Sequence, residues 1–309
     1  MPMTELSQVI FDKFQVRKTR KQKDAFIHLL HSYIPELKVQ ELGFPKSRNL
    51  ILGDPEAAKV VLGAHYDTCA QLPFPNFITP KRPLLSILYS FLVVVPYIAV
   101  IVLLNHVLTY FIHNFWVHYW VCLAAYALLM CGMLVGPANK HTANDNTSGV
   151  ITLLEIYQAL SDEQKKQVCF VFFDNEEKGV IGSTQFRKKY KQAFKTKLLI
   201  NYDCVSDGDN FLFGISKKAN QKYYVPLSRA FTSTGCKTTM FESLKKVYYP
   251  SDQAGFPVAI AVAALKHKKP FGYYMDKIHT KHDTEFNWEN IAYLTAHTVK
   301  FIESIEGRD

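Results

Sequence analysis

The chain has 309 residues, 48% of them apolar and 20% charged, which excludes a disordered or low-complexity protein and leaves enough length to bury a core without disulfides. It carries 36 Lys and Arg against 27 Asp and Glu, a formal charge of +9, which favours an anionic surface, lipid or nucleic acid. The six cysteines (Cys69, Cys122, Cys131, Cys169, Cys204, Cys236) form no CxxC pair, which argues against a disulfide framework and for a reducing compartment.

The first 30 residues carry charge throughout and have no apolar run followed by a small-residue cleavage site. They read as an amphipathic helix and not as a signal peptide. The basic run from Arg17 to Lys23 reads as a solvated helix face or, beside a membrane, as a contact for anionic lipid. Residues 49–53 and 59–65 read as strands, and the second runs into GAHYDT at 63–68.

From residue 83 to 139 there is no Asp, Glu, Lys or Arg, a gap of 57 residues. It holds two stretches of 21 residues, 84–104 and 115–135, each long enough to span a bilayer as a helix. Pro96 predicts a kink in the first. Tyr110, Phe111, Phe115, Trp116, Tyr119 and Trp120 cluster at the turn between them, as side chains at headgroup level do. Lys81, Arg82 and Lys140 flank the pair, so the positive-inside rule puts both flanks, and the rest of the chain, on the cytoplasmic side. The competing reading is a buried soluble hairpin or an apolar dimer interface, but soluble helices keep a polar face and these have none. His106, His113 and His118 lack carboxylate or thiol company and read as interfacial or packed.

Beyond the block, ANDNTSG (143–149) opens a helix at 150–160. A continuous apolar strand at 168–174 ends in FFDNEE, and a helix follows at 181–190. A strand at 198–203 ends in NYD, another short strand lies at 258–265, and HTKHDT (279–284) precedes a closing helix at 287–305. Strands alternating with helices imply an α/β fold with a doubly wound, mostly parallel sheet. Residues 1–82 and 140–309 form its domain, with 83–139 as an inserted helical hairpin. In such sheets ligands bind beyond the carboxyl ends of the strands, where these polar clusters collect.

GAHYD, ANDNTSGV, FFDNEEKGVIGS, NYD, SDQAGFP and IHTKHDT, in that order, make the chain resemble the co-catalytic zinc aminopeptidases, with glutamate carboxypeptidase and glutaminyl cyclase as relatives. The resemblance implies a peptidase with two Zn2+ per chain. His65 would bind one ion, with Asp67 orienting its imidazole. Asp145 would bridge both ions, Asp203 would complete the first site, and Glu177 and His279 the second. Glu176 would be the general base, and Asp283 would support His279. Tyr248 or Tyr249 would donate to the oxyanion, with packing as the equal alternative. His282 is the second histidine of the motif, and the family's pattern places the ligand at His279. Cys69 and Cys204 would only pack.

In the family the stretch between the first histidine and the bridging aspartate is short, whereas here the apolar block fills it. The hairpin must then leave and return beside the active-site mouth. The expected partners are a membrane-near or apolar peptide substrate, the lipid bilayer and, through the hairpin, a second copy; no nucleic acid is expected. The rival readings are a single-zinc acyltransferase like glutaminyl cyclase and a non-catalytic receptor or scaffold.

Overall fold

The computed structural model describes residues 3–72 and 74–306, and side chains 129–135 also lie outside the description. The N-terminal segment forms two helices, α1 (Glu5–Lys13) and α2 (Arg20–Tyr33). Thr4 caps the first by accepting from the Ser7 amide, and Thr19 and Gln22 form a reciprocal capping box on the second. The single expected helix is therefore cut by its own capping signals. The basic run is also not one solvated face. The Arg17 side chain is fully buried, donating to the carbonyls of Phe14 and Tyr66 and to Thr147, and Lys23 is buried in an ion pair with Asp174. A charge run in sequence cannot distinguish a buried paired cation from an exposed one.

Next come β1 (Lys38–Leu42), β2 (Ser47–Leu52) and β3 (Val60–His65), then α3 (Pro83–Thr109) and α4 (Phe115–Val135). A kinked turn at Ala143–Ser148, with non-helical backbone at Asp145 and Asn146, leads into α5 (Gly149–Ala159) and α6 (Asp162–Gln167). There follow β4 (Val168–Phe173), α7 (Ile181–Lys189), β5 (Leu198–Tyr202), β6 (Asn210–Ile215), α8 (Lys217–Ala230), β7 (Thr238–Ser243), β8 (Ala259–Lys268), β9 (Gly272–Tyr274) and α9 (Trp288–Glu306).

The strands make one mixed sheet in the order β1-β2-β4-β3-β5-β8-β6-β7, with β9 on the end of β8. The centre, β4-β3-β5-β8, is parallel, β2 and β6 join it antiparallel, and β7 pairs parallel with β6 at the edge. Every residue of β3, β4 and β5 is buried, as their unbroken apolar runs require of strands covered on both faces. One face packs Leu62, Phe170 and Ile200 against α5 and α9, the other packs Val61, Val171 and Phe173 against Phe186 of α7. That is the doubly wound arrangement, and it aligns the ends of three neighbouring strands: His65 pairs with Phe173, and Gly63 with Asn201.

The apolar block forms a helical hairpin. Helix α3 runs 27 residues, longer than the expected span at both ends, with Pro96 inside it. It holds an apolar window of mean hydropathy 2.7, none of it buried, and Ser86 is the sole buried residue of the helix. Helix α4 has 21 residues and is capped by Asn114, which accepts from the amides of Trp116 and Val117. The root of the hairpin is tied to the α/β body. Ala70 bridges Ala138, and the Asn139 amide donates to the Cys69 carbonyl at 3.2 Å.

Candidate active site

His65 is the last residue of β3, and Asp67 lies two residues beyond it. Glu176 and Glu177 follow β4, Asp203 follows β5, Asp145 sits in the turn before α5, and His279 sits in the loop before α9. The chain ends of three adjacent parallel strands and two loops thus converge on one point. Four non-glycine residues among those described have a left-handed backbone, and three of them are Asn175 (φ 56°), Cys204 (φ 55°) and His279 (φ 61°). Each is a candidate site residue or next to one, so the backbone is held in a costly conformation where it aims these groups.

The two oxygens of Asp145 face two histidines. Oδ1 is 3.2 Å from His65 Nε2, and Oδ2 is 2.8 Å from His279 Nε2. His65 Nε2 is also 3.5 Å from Asp203 Oδ1, and His279 Nε2 is 3.3 Å from Glu177 Oε2. Two donor sets therefore meet at Asp145: His65 with Asp203, and His279 with Glu177. Ligands about 2.0–2.2 Å from a tetrahedral zinc lie about 3.3–3.6 Å from one another. Three of these spacings are close to that range, and the 2.8 Å contact of His279 with Asp145 is a direct hydrogen-bond distance that would open to admit an ion. His282 is exposed and outside the cluster.

Electrostatics says the same. Burial works to keep both histidines neutral, but the surrounding carboxylates win. Glu176, Asp145 and Asp203 hold His65 well above the usual range, and Glu177 and Asp145 raise His279 to about 10. Burial raises Glu177 to about 8, aided by Asp145 and opposed by His279. Glu176 is also pushed well up, first by burial and then by Glu177 and Asp252 against His65. Oε1 of Glu177 is buried with no hydrogen-bond partner. Crowded buried carboxyl groups with one oxygen orphaned suit a bound cation, which would take the place of their protons.

The supporting roles differ from those expected. His65 Nδ1 is 3.1 Å from the backbone carbonyl of Asp67, while the Asp67 carboxylate is 3.8 Å away. That carboxylate accepts instead from the amides of Glu176 (2.9 Å) and Glu177 (3.4 Å). Asp283 likewise does not hold the His279 ring but accepts from the amides of Asn144 (2.9 Å) and Asp145 (3.0 Å). At the end of a short side chain, a carboxylate reaches the amides of a facing turn more readily than a ring it would have to approach edge-on. Tyr249 is buried and its hydroxyl donates to the Asp203 carbonyl at 3.0 Å, so it braces that ligand, while the half-exposed Tyr248 lines the cavity. Cys69, expected only to pack, has its sulfur within 4.8 Å of donor atoms of Glu177 and His279.

Asn144 and Asn146, which the sequence suggests only shape the helix entry, also tie neighbouring segments to it, and Asp252 escaped the sequence reading. Asn144 Oδ1 accepts from the amides of Ser206 and Asp207, and Asn146 ties the Tyr202 carbonyl and the Cys204 and Gly149 amides to the turn. Asp252, in the SDQ segment, is fully buried and raised to about 7 by burial, against His65 and Ser183 and with Asp67 and Asp203. Its signal in the sequence is an acidic residue set among small and apolar ones.

A cavity of about 400 Å³ opens at this point, with His65, Asp145, Glu176, Asp203 and His279 on its floor. Its walls include residues of the first three turns of α3, so the hairpin leaves the body beside the cavity, as its insertion between His65 and Asp145 implies.

The fold has solved counterparts. The chain superposes on the LapA aminopeptidase of Legionella pneumophila with a TM-score of 0.55 at 12% identity, covering 99% of this chain and 70% of that one. On a glutaminyl cyclase of Macrostomum lignano the TM-score is 0.58 at 13% identity, covering 97% and 88%. On a Zn-dependent exopeptidase of Parabacteroides distasonis it is 0.52 at 17% identity, covering 97% and 94%. No curated protein matches the sequence. The profile of peptidase family M28 matches residues 128–302, more than half of the chain, from α4 through Asp145, Glu176, Glu177, Asp203 and His279 into α9. His65 and Asp67 precede the matched segment, yet the fold delivers them to the same point. The chain belongs to peptidase family M28.

Proposed function

We propose that this peptidase is a membrane-anchored aminopeptidase that uses two zinc ions per chain, with its catalytic domain at the cytoplasmic face. The observation that carries the two-metal reading is the pair of Asp145 oxygens, one 3.2 Å from His65 Nε2 and the other 2.8 Å from His279 Nε2. His65, Asp203 and Asp145 would hold one ion, and His279, Glu177 and Asp145 the other. A single-zinc acyltransferase of the glutaminyl cyclase kind would have no use for the donor set around His65. The fold likeness to LapA supports aminopeptidase action, and the apolar, unburied α3 supports the anchor.

When bound, zinc polarises the scissile carbonyl and lowers the pKa of the attacking water. Glu176 on the cavity floor takes the proton from that water and passes it to the leaving amine. The Asp67 carboxylate holds the amides of Glu176 and Glu177, so one residue of the pair can serve as base while the next serves as ligand. Asp283 fixes the Asp145 amide, and Tyr249 fixes the Asp203 carbonyl. Tyr248, which lines the cavity, would donate to the developing oxyanion.

The test uses detergent-purified full-length protein, its zinc content, and a panel of free-amine and N-blocked peptides. Two zinc per chain, cleavage of free-amine peptides alone, and a roughly 10²–10⁴-fold loss of turnover in Glu176→Gln with zinc retained are expected. Cleavage of blocked peptides would overturn the aminopeptidase reading, and one zinc per chain the two-metal reading.

A further inference from the structure

The inserted hairpin does more than anchor the chain. Ser86, Tyr89, Ser90, Val93 and Val94 of α3 line the same cavity as His65 and Glu176. From Ser86 to Val94 the helix rises about 12 Å, so the cavity runs well away from the ligands along α3. Leu72, Phe77 and Ile78 form the facing wall. That wall is fixed in place. Phe77 packs on Tyr89 at 5.7 Å and on Phe271 at 5.2 Å, Tyr89 donates to the Pro75 carbonyl, and Ser86 Oγ accepts from the Thr79 amide at 2.8 Å. The far end is open: Val94 is 46% exposed on a helix whose other faces are apolar and unburied.

Helix length leaves room for this cavity to sit at the bilayer surface. The 27 residues of α3 span about 40 Å, whereas about 20 residues cross a bilayer core of about 30 Å. Helix α4, with 21 residues, has no such excess. Helix α3 is therefore about two turns longer than the core requires, and its first turns are the ones bonded to Thr79 and Pro75 of the α/β body.

We propose, resting on the peptidase reading above, that α3 is the specificity wall of the enzyme. The substrate is an amide whose N-terminal residue carries an extended apolar chain, lodged between α3 and the wall of Leu72, Phe77 and Ile78 and delivered from the bilayer side at Val94. Tyr89, Val93 and Val94 set how long that chain can be. The anchoring segment and the substrate pocket are then one element, and a substrate without an apolar chain leaves the wall unused.

The test measures kcat/KM on full-length protein in phosphatidylcholine vesicles, with aminoacyl p-nitroanilides lengthening from alanine through norleucine to 2-aminodecanoic acid. A rise of about fourfold per added methylene is expected until the cavity is filled, from the burial of each CH2. Val94→Trp blocks the far end and is expected to lower the 2-aminodecanoyl to alanyl ratio at least tenfold. Val95→Trp puts the same bulk one position outside the cavity and is expected to leave that ratio as in the parent. A flat chain-length series, or an unmoved ratio in Val94→Trp, overturns the inference. Glu176→Gln, run in parallel, separates the two readings: if it retains full turnover the peptidase reading fails, and if it is inactive while the series is flat only the role of α3 fails.

Discussion

The two ends of the cavity are built on opposite plans. At the ligand end nearly every group is held by another: Asp67 grips two amides, Asp283 grips two more, Asn144 a further two, and Tyr249 a carbonyl. At the α3 end, Ser86 is buried and bonded, and the next turns present Val93 and Val94 with little protein behind them. The contrast teaches where each end gets its order. Charged ligands must be fixed to within fractions of an ångström and are fixed by buried hydrogen bonds. Apolar surface needs only an apolar surrounding, and the hairpin leaves that to whatever lies against its exposed faces.

The comparison breaks most visibly if the clamps are removed. Asp67→Asn and Asp283→Asn keep the shape of the side chain but lose a charge-assisted acceptor, and each is expected to weaken zinc affinity or activity by about 10–100-fold. Titration with a zinc chelator measures the first and peptide turnover the second; wild-type values in both variants would mean that the amide clamps are not needed.

The backbone of the ligand end gives the next effect. A Cβ on Gly149 would lie 2.4 Å from both Asn146 Oδ1 and the Tyr202 carbonyl, and neither is free to retreat. Gly149→Ala is expected to cost about 1–3 kcal/mol, read as a lower melting temperature. Gly179→Ala meets nothing within 4 Å, so crowding is not its problem and only its φ of +97° resists the change.

Acidity sharpens the contrast further. Without metal, Glu177 moves from 4.5 to about 8, Asp283 from 3.8 to about 8 and His279 from 6.5 to about 10. In all three the folded state holds its proton more tightly than the unfolded one. Between pH 5 and 8 the metal-free fold therefore binds more protons than the unfolded chain, and its stability falls as pH rises. Zinc replaces those protons and is expected to reverse the trend. Melting curves at pH 5 and pH 8, with and without zinc, measure it; a metal-free protein that grows more stable toward pH 8 would contradict the crowding of charge.

The smallest effect belongs at the root of α3. Ser86→Ala removes the acceptor for the Thr79 amide and is expected to cost about 1 kcal/mol. A proteolysis rate at the 75–79 stretch that does not change would show that the α3 wall is held by its aromatic contacts alone.

Much of this was legible in the sequence, for identifiable reasons. Strands β3, β4 and β5 are buried on both faces, so their apolar runs announce them, and the acidic or imidazole residue that follows each is conspicuous. Strands β1 and β7 lie at the sheet edges with mixed burial, and KVQEL and TTMFES carry no clear period. Arg17 and Lys23 were misleading because composition does not record a partner as distant as Tyr66 or Asp174. The clamps of Asp67 and Asp283 were hidden because their partners are backbone amides, which every residue but proline carries.

The tie at the root of the hairpin joins the two plans mechanically. Ala70, three residues past Asp67, bridges Ala138, the Asn139 side chain donates to the Thr280 carbonyl at 2.9 Å, and the Leu72 amide donates to the His279 carbonyl at 2.8 Å. A tilt of the hairpin would thus pass through a few short bonds to the segments that carry Asp67 and His279. The lever arm is long and its fulcrum is the active site.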